Sequence, residues 1–169
     1  MNGIIYTLII FLLPLVLVMT LNNAACSADS NTNRSTGTDL ASKTSRKKVT
    51  IMKIRLKIED KVITGTLIDN KTAQEFISLL PLSLTMNDLF SREKFANLPK
   101  AISTEAKRTY TYEVGDIIYW SPRHDVAIFY RQDGREIPAP GIIVIGKIDS
   151  GVEALNVPGS ANVRIELVK

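Results

Sequence analysis

Only one cysteine, one histidine and one tryptophan occur among the 169 residues of this chain. With a single thiol no intrachain disulfide can form, so cysteine pairing says nothing of the redox compartment. His124, the lone histidine, has no cysteine or carboxylate cluster beside it, which argues against a zinc site. A glycine-rich phosphate loop is missing, and nothing in the sequence calls for a cofactor. Repeats at solenoid or propeller periods are also missing. An excess of charge of one sign is missing where a fold is expected. Residues 1–50 hold five basic and two acidic side chains, leaving sixteen Lys and Arg against fifteen Asp and Glu from Ile51 onward. The formal net charge of +4 therefore belongs mainly to the N-terminal segment. No basic stripe with interleaved aromatics points to a nucleic-acid partner.

Against these absences stands one long apolar run, Ile4 to Leu21, free of charge and followed by Asn22-Asn23-Ala24-Ala25-Cys26. An apolar N-terminal stretch ending in small residues is an export signal. Small residues directly before a lone cysteine resemble the processing box of bacterial lipoproteins, in which that cysteine becomes the lipidated first residue. The expectation is a signal peptide over residues 1–25 and a lipid on Cys26 that ties the protein to a membrane of the bacterial cell envelope. A cleaved, secreted or periplasmic protein and an uncleaved anchor stay open as alternatives. Met1-Asn2-Gly3 carries no basic side chain, and Asn23 stands where the box prefers a small or aliphatic residue. The run also approaches the ~18 apolar residues that span a bilayer, although Pro14 interrupts it. Residues 26–48 are rich in Ser, Thr, Asn and Asp, with Leu40 their only large apolar side chain. Such a segment cannot bury enough surface to offset its ordering entropy, so it reads as a disordered polar tether.

The rest of the chain, taken as a domain over residues 49–169, reads as short strands. Met52, Ile54, Leu56 and Ile58 alternate with charged residues, the period of a strand with one wet face. Glu59-Asp60-Lys61 is a turn, and Val62 to Ile68 continues as its hairpin partner. Thr72-Ala73-Gln74-Glu75 matches a capping box, and Ala73, Phe76, Ile77 and Leu80 follow at helical spacing before Pro81. Leu82, Leu84, Met86 and Leu89 suggest a third strand, and Phe90 to Thr111 reads as loop. Asp116 to Ser121 and Val126 to Tyr130 are two apolar strands joined by a loop over Pro122–Asp125. Gln132 to Gly141 is turn-rich, and Ile142 to Lys147 is another buried strand. A short helix capped by Asp149 or Ser150 is expected next, and then a closing strand over Ala161–Val168. The sum is a mainly β chain, a closed antiparallel β-barrel of about eight strands with two short helices.

Several runs carry a resemblance. They include Leu79-Leu80-Pro81-Leu82-Ser83-Leu84, Leu98-Pro99-Lys100, Gly115 to Pro122, Ala127-Ile128-Phe129-Tyr130 and Gly146 to Leu155. In order and content these resemble the bacterial cyclophilin-like family, which implies the cyclophilin barrel without a proven isomerase activity. Arg123-His124-Asp125 replaces the aromatic-glycine-asparagine loop that the family pattern implies. The Phe-His-Arg-Val and Gln-Gly-Gly-Asp runs of authentic cyclophilins do not occur.

No catalytic residue stands out. Arg92, Arg108, Arg123 and Arg131 are each able to supply the guanidinium of an isomerase, and each is equally an ordinary solvated arginine. Ser121, His124 and Asp125 have the residue types of a triad, but all three lie within one loop, and a triad converges from separate elements. A binding module remains. Tyr119 and Trp120, and likewise Phe129 and Tyr130, point to opposite faces of their strands. One aromatic of each pair is expected in the core and the other on a cleft, with Arg123 and His124 adding polar contacts. The expected role is binding of a peptide or small molecule. A divergent peptidyl-prolyl isomerase and a structural envelope protein without a ligand are the alternatives.

Overall fold

The computed structural model of the chain describes residues 51–168. The apolar run, Cys26 and the tether lie outside the described residues. Strand β1 (Met52–Ile58) and strand β2 (Lys61–Leu67) form the expected hairpin. Helix α1 (Lys71–Ile77) follows, and then β3 (Leu82–Leu89), β4 (Glu93–Asn97) and a two-residue β5 (Arg108–Thr109). The second half contributes β6 (Asp116–Trp120), β7 (Asp125–Phe129), β8 (Ile142–Ser150), a 3-10 helix over Val152–Leu155, and β9 (Ala161–Leu167).

Every pairing is antiparallel, in the order β2-β1-β9-β3-β4-β7-β6-β8, and a β2–β8 ladder closes the ring. The short β5 attaches to β8 outside that circuit. Closure requires β2 and β8 to approach tightly. A Cβ on Gly146 would lie 2.7 Å from the Thr66 carbonyl, so only glycine fits there. A closed barrel also leaves no long edge strand open to aggregation.

The main core fills the barrel, with Ile54, Leu56, Phe76, Met86, Ile117, Tyr119 and Ile165 almost wholly buried. A second apolar cluster, built on Tyr112, Ile118, Ala127, Phe129, Ile137 and Ile142, lies on the outer side of the β7–β6–β8 wall. Its cover is supplied by the long segments on either side of β6 and β7. The Tyr112 ring stacks on Phe129 at 3.8 Å, and the Ile137 amide donates to the Tyr110 carbonyl. Alternation along each strand thus feeds two apolar layers rather than one.

The structure corrects four local readings. The cap of α1 is Asn70, whose side chain accepts from the Ala73 amide at 2.7 Å and donates to the Val144 carbonyl. Thr72 is instead buried one position into the helix, and the Glu75 carboxylate accepts from the Ser103 amide. The second helix is a 3-10 turn. It is preceded by Gly151 in the left-handed region (φ 80°) rather than by Asp149 or Ser150. Both of those residues belong to β8, which runs on because Ser150 still pairs with Thr64. The stretch expected as loop contains β4, which joins β3 to β7 and is indispensable to the ring.

Candidate functional site

The outer faces of β4, β7 and β6 form a floor whose register can be read row by row. Glu93 lies opposite Phe129, Phe95 opposite Ala127, and Asn97 opposite Asp125. On the next strand Ile118 pairs with Ala127 and Trp120 with Asp125. Ala127 therefore sits in the middle of the floor, between the larger Phe95 and Ile118, and its small side chain leaves a dip. Phe90 and Leu89 from the β3–β4 turn wall one side, and Ile137 and Pro138 wall another. The resulting cleft has a volume of about 240 Å³. Two hollows of about 410 and 670 Å³ lie elsewhere, along β1–β9–β3 and beside Leu80–Pro81. They are lined mostly by the solvated faces of strands. The smaller cleft, with four aromatic rings and buried charges, has the composition of a ligand site.

One wall of the cleft is held in an unfavourable backbone conformation. Phe90 and Ser91 both have positive φ, at 56° and 51°, in the tight turn that the Arg92 amide closes onto the Leu89 carbonyl. A bulky residue in the left-handed region costs roughly 1–2 kcal/mol. Phe90 is nevertheless 61% exposed, so no core packing offsets that strain. Its ring instead faces the Arg92 guanidinium at 5.3 Å and lines the cleft. Backbone strain of this kind collects at functional sites.

Charge lies beneath the aromatics. The buried Arg92 donates through Nε to Glu93 at 3.2 Å and through one Nη to Asp133 at 3.3 Å. Its guanidinium also faces the rings of Tyr112 and Phe129 at 5.4 and 5.6 Å. Burial alone would lower the Arg92 pKa, but Glu93 and Asp133 outweigh it and keep the guanidinium firmly charged. Burial pushes the Glu93 carboxyl up by more than the neighbouring Arg92 pulls it down. Asp125 is likewise pushed up by burial, against the pull of Arg123. Only one Glu93 oxygen has a hydrogen-bond partner. Thr72 Oγ1 is the single sealed side-chain polar atom without a partner among the described residues. The second Glu93 oxygen therefore keeps its contact with solvent, and Glu93 lines the cleft.

Of the residues singled out from sequence, Trp120, Arg123 and Phe129 line this cleft. Tyr119 and Tyr130 turn into the barrel. The Tyr119 hydroxyl accepts from the Ile102 amide at 3.3 Å, and the Tyr130 hydroxyl donates to Asp88 at 2.6 Å. Both are core groups and neither reaches the cleft. His124 stands exposed at the β6–β7 turn and is not part of the lining. Of the four arginines weighed from sequence, Arg92 and Arg123 line the cleft, Arg108 reaches the Gly141 carbonyl and Ser121 Oγ, and Arg131 is exposed outside the lining. Arg123 is 62% exposed, lies 3.4 Å from Asp125 and faces the Phe95 ring at 5.8 Å. No side-chain hydrogen bond joins Ser121, His124 and Asp125 among the described residues, since Asp125 accepts from Asn97 instead. Phe90, Glu93, Phe95, Ala127 and Ile137 were not singled out from sequence. The first three sit in the segment read as loop. No group of three or more His, Cys, Asp or Glu among the described residues is placed to hold a metal ion.

A small closed antiparallel barrel is a fold that comparison with known proteins can place. The model of the Cyclophilin-like family matches residues 56–166. The chain belongs to that family. Among solved structures it is similar to a hypothetical protein of Archaeoglobus fulgidus, with 24% identity and a TM-score of 0.59. That match covers 72% of this chain and 98% of the archaeal one, and it speaks for the fold. No curated protein matches the chain.

Proposed function

We propose that this protein is an exported cyclophilin-like domain, tethered to the bacterial cell envelope through a lipid on Cys26, that binds a peptide or small molecule in the outer cleft. One observation carries the binding reading. Phe90, exposed and held in the left-handed region, completes the wall of a cleft whose floor dips at Ala127. An NMR titration of the labelled domain with short apolar peptides tests it. Signals of Trp120, Phe90 and Ile118 should move before those of the β1–β9 face; shifts spread evenly over the surface would refute the reading. The address rests on Ala24-Ala25-Cys26 and the apolar run before it. Intact mass of the mature protein should reveal a lipid adduct on Cys26, and a start beyond that residue would refute the anchor.

The position of Arg123 favours one second reading, a divergent prolyl isomerase. Such a catalyst lowers the ~18–20 kcal/mol barrier to peptide rotation without covalent chemistry, and an exposed guanidinium at an apolar cleft is the group it needs. The binding reading expects no acceleration of a proline-containing peptide over its spontaneous rate. Acceleration that disappears in Arg123→Ala would establish the isomerase instead.

A further inference from the structure

Counting the charges around the cleft by burial separates two populations. Glu93, Asp125 and Asp133 keep most of their side chains out of water, against the single buried cation Arg92. The compensating charges, Arg123 and Arg135, are 62% and 69% exposed. Their ion pairs are long, 3.4 Å to Asp125 and 3.9 Å to Asp133. Glu93 and Asp125 line the cleft and Asp133 lies behind Arg92, so buried carboxylates outnumber buried cations in this cluster and the balancing arginines are solvated. Exposed pairs of this kind contribute little and are readily exchanged.

The buried carboxylate of Glu93 adds direction to that excess. Arg92 holds one of its oxygens and so fixes the plane of the group, while the other oxygen has no protein donor. Rings of Phe90, Phe95, Trp120 and Phe129 share the cleft with it, and ring faces attract cations. Glu93 and Asp125 lie at opposite ends of the floor. Their rows lie four positions apart on β4, about 13 Å along the strand. An apolar body over Ala127 that ends in a cationic nitrogen would satisfy the open oxygen without disturbing the Arg92 bond.

We infer that the cleft selects peptide ligands that carry a basic side chain, with an arginine or lysine head on Glu93 and apolar neighbours over Ala127. This rests on the binding reading above and names its ligand chemistry. In this account Arg123 is a displaceable cover, a cation that occupies the aromatic and acidic surface until the ligand's own cation replaces it.

Trp120 is the chain's only tryptophan and lines the cleft, so its fluorescence reports occupancy. The test titrates the protein with three amidated tripeptides of the same apolar body, ending in arginine, in neutral citrulline or in glutamate. The arginine peptide should bind tighter than the citrulline peptide by about tenfold or more, the usual weight of a hydrogen bond to a buried charge. Glu93→Gln should erase that ratio. Asp125→Asn, a second variant that leaves the Arg92 pair intact, should reduce it. Arg123→Gln should tighten the arginine peptide, because a competing cation has gone. Equal affinity for arginine and citrulline peptides, still abolished by Ala127→Leu, would refute the cationic choice and keep the cleft as a binding site. Tighter binding of the glutamate peptide, lost in Arg123→Gln, would reverse the inference. No Trp120 response to any peptide would remove both readings.

Discussion

Glu93 and Lys94 are neighbours on β4, yet they serve opposite sides of one wall and opposite purposes. Lys94 turns inward and is wholly buried. Its ammonium donates to Asp88 at 3.0 Å and to the carbonyls of Val157 and Gly159 at 2.6 and 2.5 Å. Three donors meet three acceptors, and none is left over. Burial would raise the Asp88 carboxyl, but hydrogen bonds from Tyr130 and Lys94 outweigh it and hold it below the usual carboxylate range. The Tyr130 phenol is in turn pushed up to about 12 by burial and by its bond to Asp88. Glu93 turns outward into a cluster that is not closed, and its carboxyl moves the other way. A satisfied buried charge pins the 3-10 helix and β9 loop to the barrel wall. An incompletely satisfied one leaves an acceptor open at the cleft.

The contrast can be broken at several points. Lys94→Met should have the largest effect, since it leaves the Val157 and Gly159 carbonyls without their donor and removes the cation paired with Asp88. Breaking a buried pair by removing one partner costs about 3–5 kcal/mol. The loss should lie near the lower end, because Asp88 keeps 21% of its side chain in water. Urea denaturation measures it, and a loss below about 1 kcal/mol would show that the network is not a keystone. Phe90→Asn works on the cleft side and should change sign. Asparagine tolerates the left-handed region, so the variant should gain about 0.5–1 kcal/mol while losing a wall of the cleft. A net loss of stability would mean that Phe90 packs more usefully than its exposure implies.

Glu93→Gln should cost less than Lys94→Met near neutrality, because the amide oxygen still accepts from Arg92 and Asp133 still balances the guanidinium, although the charge-assisted bond is lost. Its pH dependence carries the sign. A carboxyl whose folded pKa lies above the unfolded value favours the native state below the ordinary value, and that contribution fades as pH rises through the raised one. The variant should therefore gain on the parent as pH climbs through that window. For Asp88, with its pKa depressed, stability is present above the ordinary value and is lost as pH falls through the depressed one. Thermal melts of parent and variant across pH 3–7 would separate the two slopes. Parallel profiles for parent and Glu93→Gln would contradict the assignment.

Much of the barrel was legible because alternation is visible wherever one face is apolar. The β1–β2 hairpin, β3 and β9 follow from that rule, whereas β6 and β7 showed as short runs apolar on both faces. Strand β4 escaped it for the same physical reason that makes it interesting. In Glu93-Lys94-Phe95-Ala96-Asn97 both faces begin with a charged residue; Glu93 is buried beside its neighbour Arg92, and Lys94 reaches Asp88 and the distant carbonyls of Val157 and Gly159. Hydropathy has no signal for a lysine that lies inside. The cleft was half visible on similar grounds. Period two separated Trp120 from Tyr119 and Phe129 from Tyr130, whereas Phe95 of the floor went with the hidden strand and Phe90 of the wall with the turn before it. His124 looked like a contact residue only because it lies in the loop next to Arg123. The cap of α1 was displaced by two residues because Asn70 also anchors to the Val144 carbonyl, a tertiary bond that local sequence does not announce.

Carboxyl-detected NMR titration of Glu93 and Asp88 in one sample, with and without the arginine tripeptide, tests the central contrast most directly. Glu93 should titrate above the ordinary carboxylate range in the free protein and drop when the peptide binds. Asp88 should titrate below that range and ignore the peptide. A Glu93 that titrates as an ordinary carboxylate and does not respond to the peptide would contradict the account.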